Sequence, residues 1–406
     1  GAEKKKESLR GLLGAATVLL RRYERLYVQF EEPISLRAVA EQRLGARAAS
    51  LTVDDAWAGE VARARRPAAA ADAPAEAKRV LVQALANRIA YGISRAVTIT
   101  PVGLFAATVL SHARRGISAP DVARRVELLR YVAAEGGARF ARDLAGAPSD
   151  PRQPGPIADA VRRLAEDGLV RVEVAAGETI YQVEDDRRPL LDYHRNAVIH
   201  RYVAPALVAT AIRAAGENGT RAEARDRAQW LSRLFKLEFL YRVGADFDEI
   251  FDQNLEFLVR IGAVARDGDR LRPGAEPDHL EFLAGFMRAY LEAYRVVAET
   301  ALAALSGEPV GRAPSLDRRS LVKAALERGR ADFLAGRIAL RETISKATFE
   351  NAVEWLIGQG LVVQRNGGVV AGPEAETLPN VIERIGAHLS PEFARPAGAP
   401  HPGRTE

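Results

Sequence analysis

Tyr193-His194-Arg195-Asn196, followed by His200, is the densest run of side chains able to move protons or hold an anion. It lies in an otherwise apolar stretch (Leu190, Leu191, Val198, Ile199, Val203) whose spacing predicts a helix. Two readings follow. Either the polar face of that helix packs on another domain, or imidazole and guanidinium line a catalytic or anion site. A second candidate is basic: Lys4, Lys5, Lys6 and Arg10 stand at or just before a predicted helix start. Free backbone N–H groups plus cations there suit a phosphate or an anionic lipid headgroup. A solvated basic turn is the plain alternative.

Other chemistry is excluded by type or spacing. The chain has no cysteine, which removes thiolate nucleophiles, zinc-thiolate sites, iron–sulfur clusters and disulfides. The six histidines (His112, His194, His200, His279, His388, His401) show no metal-ligand spacing with Asp or Glu. There is no Gly-x4-Gly-Lys-Ser/Thr loop, no Gly-x-Ser-x-Gly elbow and no dinucleotide fingerprint. No metal and no cofactor are therefore expected.

The elements that must position these groups fit a sizeable core. The chain has 406 residues, 48% of them hydrophobic, which suggests two or three domains at roughly 150 residues each. Its net charge is +5, and lysine supplies only seven of 58 basic residues. The arginine belongs to a general Ala-Arg-Gly-Pro richness and is read as composition bias rather than a nucleic-acid footprint. The first residue is Gly1, the only methionine is Met287, and the opening Gly-Ala-Glu-Lys-Lys-Lys lacks the apolar core of a signal peptide. The expectation is a chain continuing from a longer one.

Residues 7–25 read as a helix, through Leu9, Leu12, Leu13, Ala16, Leu19 and Leu20. Leu26, Val28 and Phe30 alternate with polar residues as in a strand, which Pro33 ends. This pair suggests the last piece of an α/β sheet. Residues 66–76 (RPAAAADAPAE) read as a linker. A mostly apolar helical stretch follows over 78–112, broken at Thr100-Pro101. Its charge-free run, 96–111, is shorter than the ~20 residues a bilayer span needs, so it reads as buried or interfacial. Residues 97–110, with Arg95, Arg114 and Arg115, form the candidate membrane-contacting surface. Three times a helix ends at a glycine and is followed by a short hairpin: near 156–183, 249–272 and 348–371. The expected fold is mainly α with small β-hairpins (α+β). The domains are an α/β tail over 1–66, a linker over 67–77, a helical domain over 78–390 and a disordered tail over 391–406.

Several blocks carry a resemblance. Lys-Lys-Lys-Glu-Ser-Leu at 4–9 and Tyr-Val-Gln-Phe-Glu-Glu-Pro-Ile-Ser-Leu at 27–36 resemble the segment downstream of the catalytic motifs in bacterial glycerol-3-phosphate acyltransferases. Asn87-Arg88-Ile89 with TITPVGLFAATVL at 98–110 is similar to the same family further on. So are Tyr193-His194-Arg195-Asn196-Ala197-Val198-Ile199-His200 and Phe235-Lys236-Leu237-Glu238-Phe239. The order is kept and the resemblance runs to about Val264. It implies acyl transfer from acyl-CoA or acyl carrier protein to the sn-1 hydroxyl of glycerol 3-phosphate, giving lysophosphatidate. It also implies a peripheral or monotopic place on the cytoplasmic face of the bacterial inner membrane.

The departure is as informative. The family's chemistry rests on a His-x4-Asp pair in which imidazole accepts the hydroxyl proton and Asp orients it. Five residues beyond the six histidines stand Ile117, Ile199, Pro205, Ala284, Phe393 and Glu406, never Asp. The Pro-Glu-Gly block is absent too. The expectation is a C-terminal portion, inactive alone, whose partners are the catalytic N-terminal region, a membrane surface and acyl carrier protein. Dihydroxyacetone-phosphate acyltransferase is a close variant. A rival from another class is a winged-helix nucleic-acid module. The acidic or mixed helices (Glu249, Asp252, Glu256; Glu350, Glu354) oppose it, and nucleic acid is not an expected partner.

Overall fold

Polar residues start the helices. Thr100, Ser118, Thr220, Asp246, Asp317 and Ser345 each accept a backbone N–H of the first turn into the side chain. The computed structural model describes residues 25–44, 75–112, 116–144, 155–240, 246–307, 317–365 and 368–389. The chain divides into two compact units, Gly1–Phe30 and Glu31–Glu406. Of the first, only 25–30 is described. It is irregular, with Leu26 90% and Phe30 86% exposed. The strand expected at 26–31 is therefore not formed. Alternation creates a strand only where a neighbour completes its ladder, and no described strand pairs with it.

The second unit starts with α1 (Leu36–Leu44), which packs on α2 (Ala75–Ala96). β1 (Thr98–Ile99) then pairs in parallel with β3 (Arg139–Phe140). From there the chain repeats one module three times. The first module holds α3 (Pro101–Leu110), β2 (Gly116–Ser118), α4 (Ala119–Glu135), α5 (Pro156–Glu166), the hairpin β4 (Arg171–Ala175) and β5 (Glu178–Gln182), and α6 (Arg188–Val198). The second holds α7 (Val203–Ala215), α8 (Arg221–Leu234), α9 (Phe247–Arg260), the hairpin β6 (Val264–Asp267) and β7 (Arg270–Pro273), and α10 (Pro277–Gly285). The third holds α11 (Arg288–Leu305), α12 (Arg318–Leu334), α13 (Lys346–Gly358), the hairpin β8 (Val362–Arg365) and β9 (Gly368–Ala371), and α14 (Leu378–Ala387).

Each module is three helices and a β-wing, closed by a fourth helix that packs back on the first. In the first module the sheet is antiparallel in the order β2–β5–β4, a winged-helix arrangement. In the second, β2's counterpart is reduced to one bridge, Thr220 to Arg270. The closing helices share a proline in the first turn: Pro189, Pro277 and Pro379. The third helices of all three end two residues before a left-handed glycine: Gly168, Gly262 and Gly360.

The first helices, α3, α7 and α11, supply the core. Every residue of α3 is buried. This corrects the membrane-contacting surface expected at 97–110. A charge-free helix enclosed by α4, α5 and α6 gains more by excluding water inside the protein than at a lipid boundary. Among the described residues, no helix is long and apolar enough to cross a membrane.

Candidate functional site

The turn of α6 divides the polar cluster read from the sequence. Arg188, Leu191, Arg195 and Val198, at helical spacing, form its buried face. Tyr193 is 75% exposed, and Asn196, also exposed, donates from Nδ2 to Asp192 Oδ2 at 2.9 Å. The half-buried His194 ring meets Tyr193 edge-on. His200 lies past the helix, beside the Ser94 backbone and Arg201. The five residues do not converge on one point.

Arg195 joins a different set. It pairs with Asp192 one turn back and donates to the Tyr290 hydroxyl on α11. Two turns before Arg195, Arg188 grips Glu342 bidentately, Nε to Oε2 at 2.8 Å and Nη2 to Oε1 at 2.7 Å. The same Nη2 donates to the Leu110 carbonyl at 3.1 Å. Burial alone would push the Glu342 carboxyl up, but the hydrogen bonds and charge of Arg188 hold it below its ordinary value. On α11, the fully buried Glu292 accepts from Ala339 N, Leu340 N and Thr343 Oγ1 at 3.1, 3.4 and 2.9 Å. Sequence reasoning singled out Arg195 but not Arg188, Asp192, Tyr290, Glu292 or Glu342. Only the Asp192–Arg195 spacing of three residues gave a local hint.

The second sequence block arrives at the same helix. In the turn after α8, the Phe239 ring lies 4.9 Å from Tyr290 and Phe235 lies 5.2 Å from Tyr294. Tyr294 donates to Glu238 Oε1 at 3.2 Å. The blocks around Arg195 and Glu238, apart in sequence, thus meet on α11 through Tyr290. At the other end of the third module, His388 stacks on Trp230 with ring centroids 5.2 Å apart, and Arg213 Nη2 donates to the His388 carbonyl at 2.6 Å.

Chemically, this network pairs each buried guanidinium with a carboxylate. It leaves no net positive hole for an anion and places no imidazole against a hydroxyl. What it does is hold α6, α11 and the 341–343 turn in one register. Among the described residues there is no group of three or more potential metal ligands. Lys4, Lys5, Lys6 and Arg10 lie outside the described residues.

Burial also shifts groups that matter for acid stability. His200 and His388 are both lowered to about 4, first by desolvation and then by neighbouring arginines. Glu238 is raised to about 7 by desolvation, against hydrogen bonds from Asn351 and Tyr294. As pH falls from 6.5 to 4 the unfolded chain takes up two protons that the folded chain refuses, so stability drops by at most about 3 kcal/mol per histidine. Glu238 acts in the opposite sense. Its contribution is full below its unfolded value of 4.5 and is lost as pH rises through about 7. The expected urea midpoint is highest near neutrality and falls toward pH 4. His388→Gln should flatten that fall, and an unchanged slope would show that this ring does not carry it.

Comparison with known proteins gives one family. The model for the glycerol-3-phosphate acyltransferase C-terminal region matches residues 1–365. The chain is 28% identical over 367 residues to plsB1 of Mycobacterium tuberculosis, whose name marks it provisionally as an acyltransferase; this covers 87% of the chain and 51% of the relative. It is 25% identical over 383 residues to the glycerol-3-phosphate acyltransferase of Ectopseudomonas mendocina, covering 91% and 41%. The corresponding protein of Pseudomonas fluorescens is 26% identical over 383 residues, covering 92% and 42%. The chain spans about half the length of these relatives, or less.

Proposed function

The chain belongs to the family of the glycerol-3-phosphate acyltransferase C-terminal region, and from that premise we propose that it is the helical support of a glycerol-3-phosphate 1-O-acyltransferase. In the proposed reaction the sn-1 hydroxyl oxygen attacks the thioester carbonyl of acyl-CoA or acyl carrier protein. The new ester C–O bond forms as the C–S bond breaks, and the hydroxyl proton leaves with the thiol. That step needs a general base and donors for the developing oxyanion. The observation that carries the reading is the family match over 1–365 together with a sequence that has no His-x4-Asp. The base is supplied by a catalytic region outside these residues. The modules described above give that region a rigid body on which to sit.

Acyl carrier protein as donor, a peripheral seat on the cytoplasmic face of a bacterial inner membrane, and a phosphate or headgroup contact through Lys4–Lys6 and Arg10 belong to this proposal. The chemistry favours a membrane seat, because long acyl chains and lysophosphatidate partition into bilayers. Dihydroxyacetone phosphate is the alternative acceptor.

The test is acyl transfer to radiolabelled glycerol 3-phosphate. Purified 1–406 should give no product above the buffer rate, whereas the chain joined to a preceding region that carries His-x4-Asp should turn over. Product from 1–406 alone would overturn the assignment of the base to another region, and an inactive longer protein would overturn the acyltransferase reading.

The repeated winged modules favour one second reading, a nucleic-acid surface. The third helix of the middle module, however, exposes Asp248, Glu249 and Glu256, which oppose a phosphate backbone. A salt-dependent shift of duplex DNA by the purified chain would revive it.

A further inference from the structure

Helix α2 turns its most apolar row outward. Val82, Ile89 and Ile93 are 57%, 44% and 65% exposed, and Ala86 between them is exposed too. Steps of four, three and four residues place these side chains on one stripe, roughly 16 Å long at the helical rise per residue. In a finished core this is the row that would be inside. The helix is also cationic: it carries Lys78, Arg79, Arg88 and Arg95, and its one carboxylate is Glu76 at the start. Arg79 and Arg88 are exposed.

These features select the occupant. A second copy of the chain would bring the same cations against themselves, which opposes pairing along this row. An anionic bilayer answers both properties at once. Aliphatic side chains enter the boundary between headgroups and acyl chains, and the arginines meet lipid phosphates. The exposed face of α6, with Leu190 at 52% and Tyr193 at 75%, lacks exposed cations, since both arginines of that helix, Arg188 and Arg195, are buried.

We infer that α2 lies in the plane of an anionic bilayer, with Val82, Ala86, Ile89 and Ile93 turned into it and Arg79 and Arg88 at the phosphates. This rests on the acyltransferase reading, which puts a lipid product beside the protein, and it names the surface that makes the contact. α2 takes the part that the enclosed residues 97–110 cannot play.

The experiment is co-sedimentation of the 406-residue chain with vesicles of phosphatidylethanolamine and phosphatidylglycerol, and with vesicles of phosphatidylcholine alone. The chain should pellet with the anionic vesicles and stay in solution with the neutral ones. Ile89→Asp/Ile93→Asp should lower the partition about tenfold or more, since two half-buried aliphatic side chains are worth at least one decade. Both positions are exposed, so the circular dichroism and thermal midpoint should not move. Arg79→Glu/Arg88→Glu should abolish the preference for anionic lipid, and Leu190→Asp/Tyr193→Asp should change nothing.

A wild-type chain that stays in the supernatant overturns the inference. So does an Ile89→Asp/Ile93→Asp variant that pellets like wild type, in which case another face meets the membrane. A dimer in sedimentation velocity that this variant dissolves, with no vesicle binding, would make the row a self-interface instead. Acyl transfer by the longer protein is scored separately, so vesicle binding through α2 without any turnover would count against the acyltransferase reading alone.

Discussion

Arg188→Met should lower the free energy of unfolding by about 3–5 kcal/mol, the loss found when one partner of a buried ion pair is removed. The substitution keeps the length of the side chain and little of its chemistry. It strands the Glu342 carboxylate, 6% exposed, without its two hydrogen bonds, and leaves the Leu110 carbonyl without the Arg188 donor. Glu342→Leu should cost a similar amount, because it buries an unpaired guanidinium. The double variant Arg188→Met/Glu342→Leu should recover most of the loss, since desolvation of both ions disappears with their attraction. Urea denaturation of the four proteins completes the cycle. Two single losses that simply add in the double variant would show that the groups are not energetically paired. The pair links α6 of the first module to the turn before α13 of the third. A drop in the slope of the unfolding transition in the single variants would therefore indicate that the modules have begun to unfold separately.

How much of this was legible in the sequence depends on the kind of signal. Helices with a polar first residue and a glycine after the last turn announce themselves, because both ends satisfy orphan backbone groups locally. The hairpin at Asp267-Gly268-Asp269 is legible for the same reason: the left-handed Gly268 lies between two short strands that register Asp267 against Arg270. α3 was harder. A charge-free segment with proline at its start has one signature whether it is enclosed by helices or lies against lipid, and only its neighbours settle which. The 26–31 alternation failed for the converse reason, since a strand is a property of two segments and no strand among the described residues pairs with it.

The polar cluster shows the same limit at the level of single residues. Tyr193 and Arg195 are two positions apart, so a helix sends them to different faces, and nothing local says which face is inside. The meeting of Arg195 with Tyr290 spans 95 positions of sequence and has no local trace. The threefold module was legible only in its third helices and hairpins. Its first helices share burial and its fourth a first-turn proline, but neither set shares much sequence, because a core accepts any apolar residue of suitable volume.

Gly274→Ala and Gly372→Ala should be among the most damaging single-methyl additions at the described glycines, each costing about 2–4 kcal/mol. These glycines hold equivalent places after the hairpins of the second and third modules. A Cβ on Gly274 would stand 2.1 Å from the Gly262 carbonyl oxygen, and one on Gly372 would stand 2.1 Å from the Gly360 carbonyl oxygen. Neither oxygen is free to retreat. Gly262 O accepts from Glu276 N at 2.8 Å and Gly360 O from Glu374 N at 3.0 Å, and these bonds tie each closing turn to the end of the third helix. The twelve-residue interval is the same in both modules, as are the bonds Gly274 N to Ala263 O and Gly372 N to Leu361 O, both 3.2 Å. Relief of the overlap must break one of them, which adds about 1 kcal/mol of lost hydrogen bond to an overpacking cost of roughly 1–3 kcal/mol. Two comparison sites isolate the cause. Gly268→Ala meets no atom within 4 Å but sits at φ +61°, so it should cost only the left-handed penalty of about 1–2 kcal/mol. Gly358→Ala, helical and open, should be neutral or stabilising by up to about 1 kcal/mol. Thermal and urea unfolding of the four variants should therefore rank Gly274 and Gly372 together at the bottom, Gly268 between, and Gly358 at or above wild type. If Gly274→Ala matched Gly268→Ala, the turn would have room to open, and the shared twelve-residue closure would not be what fixes the wing to its helix.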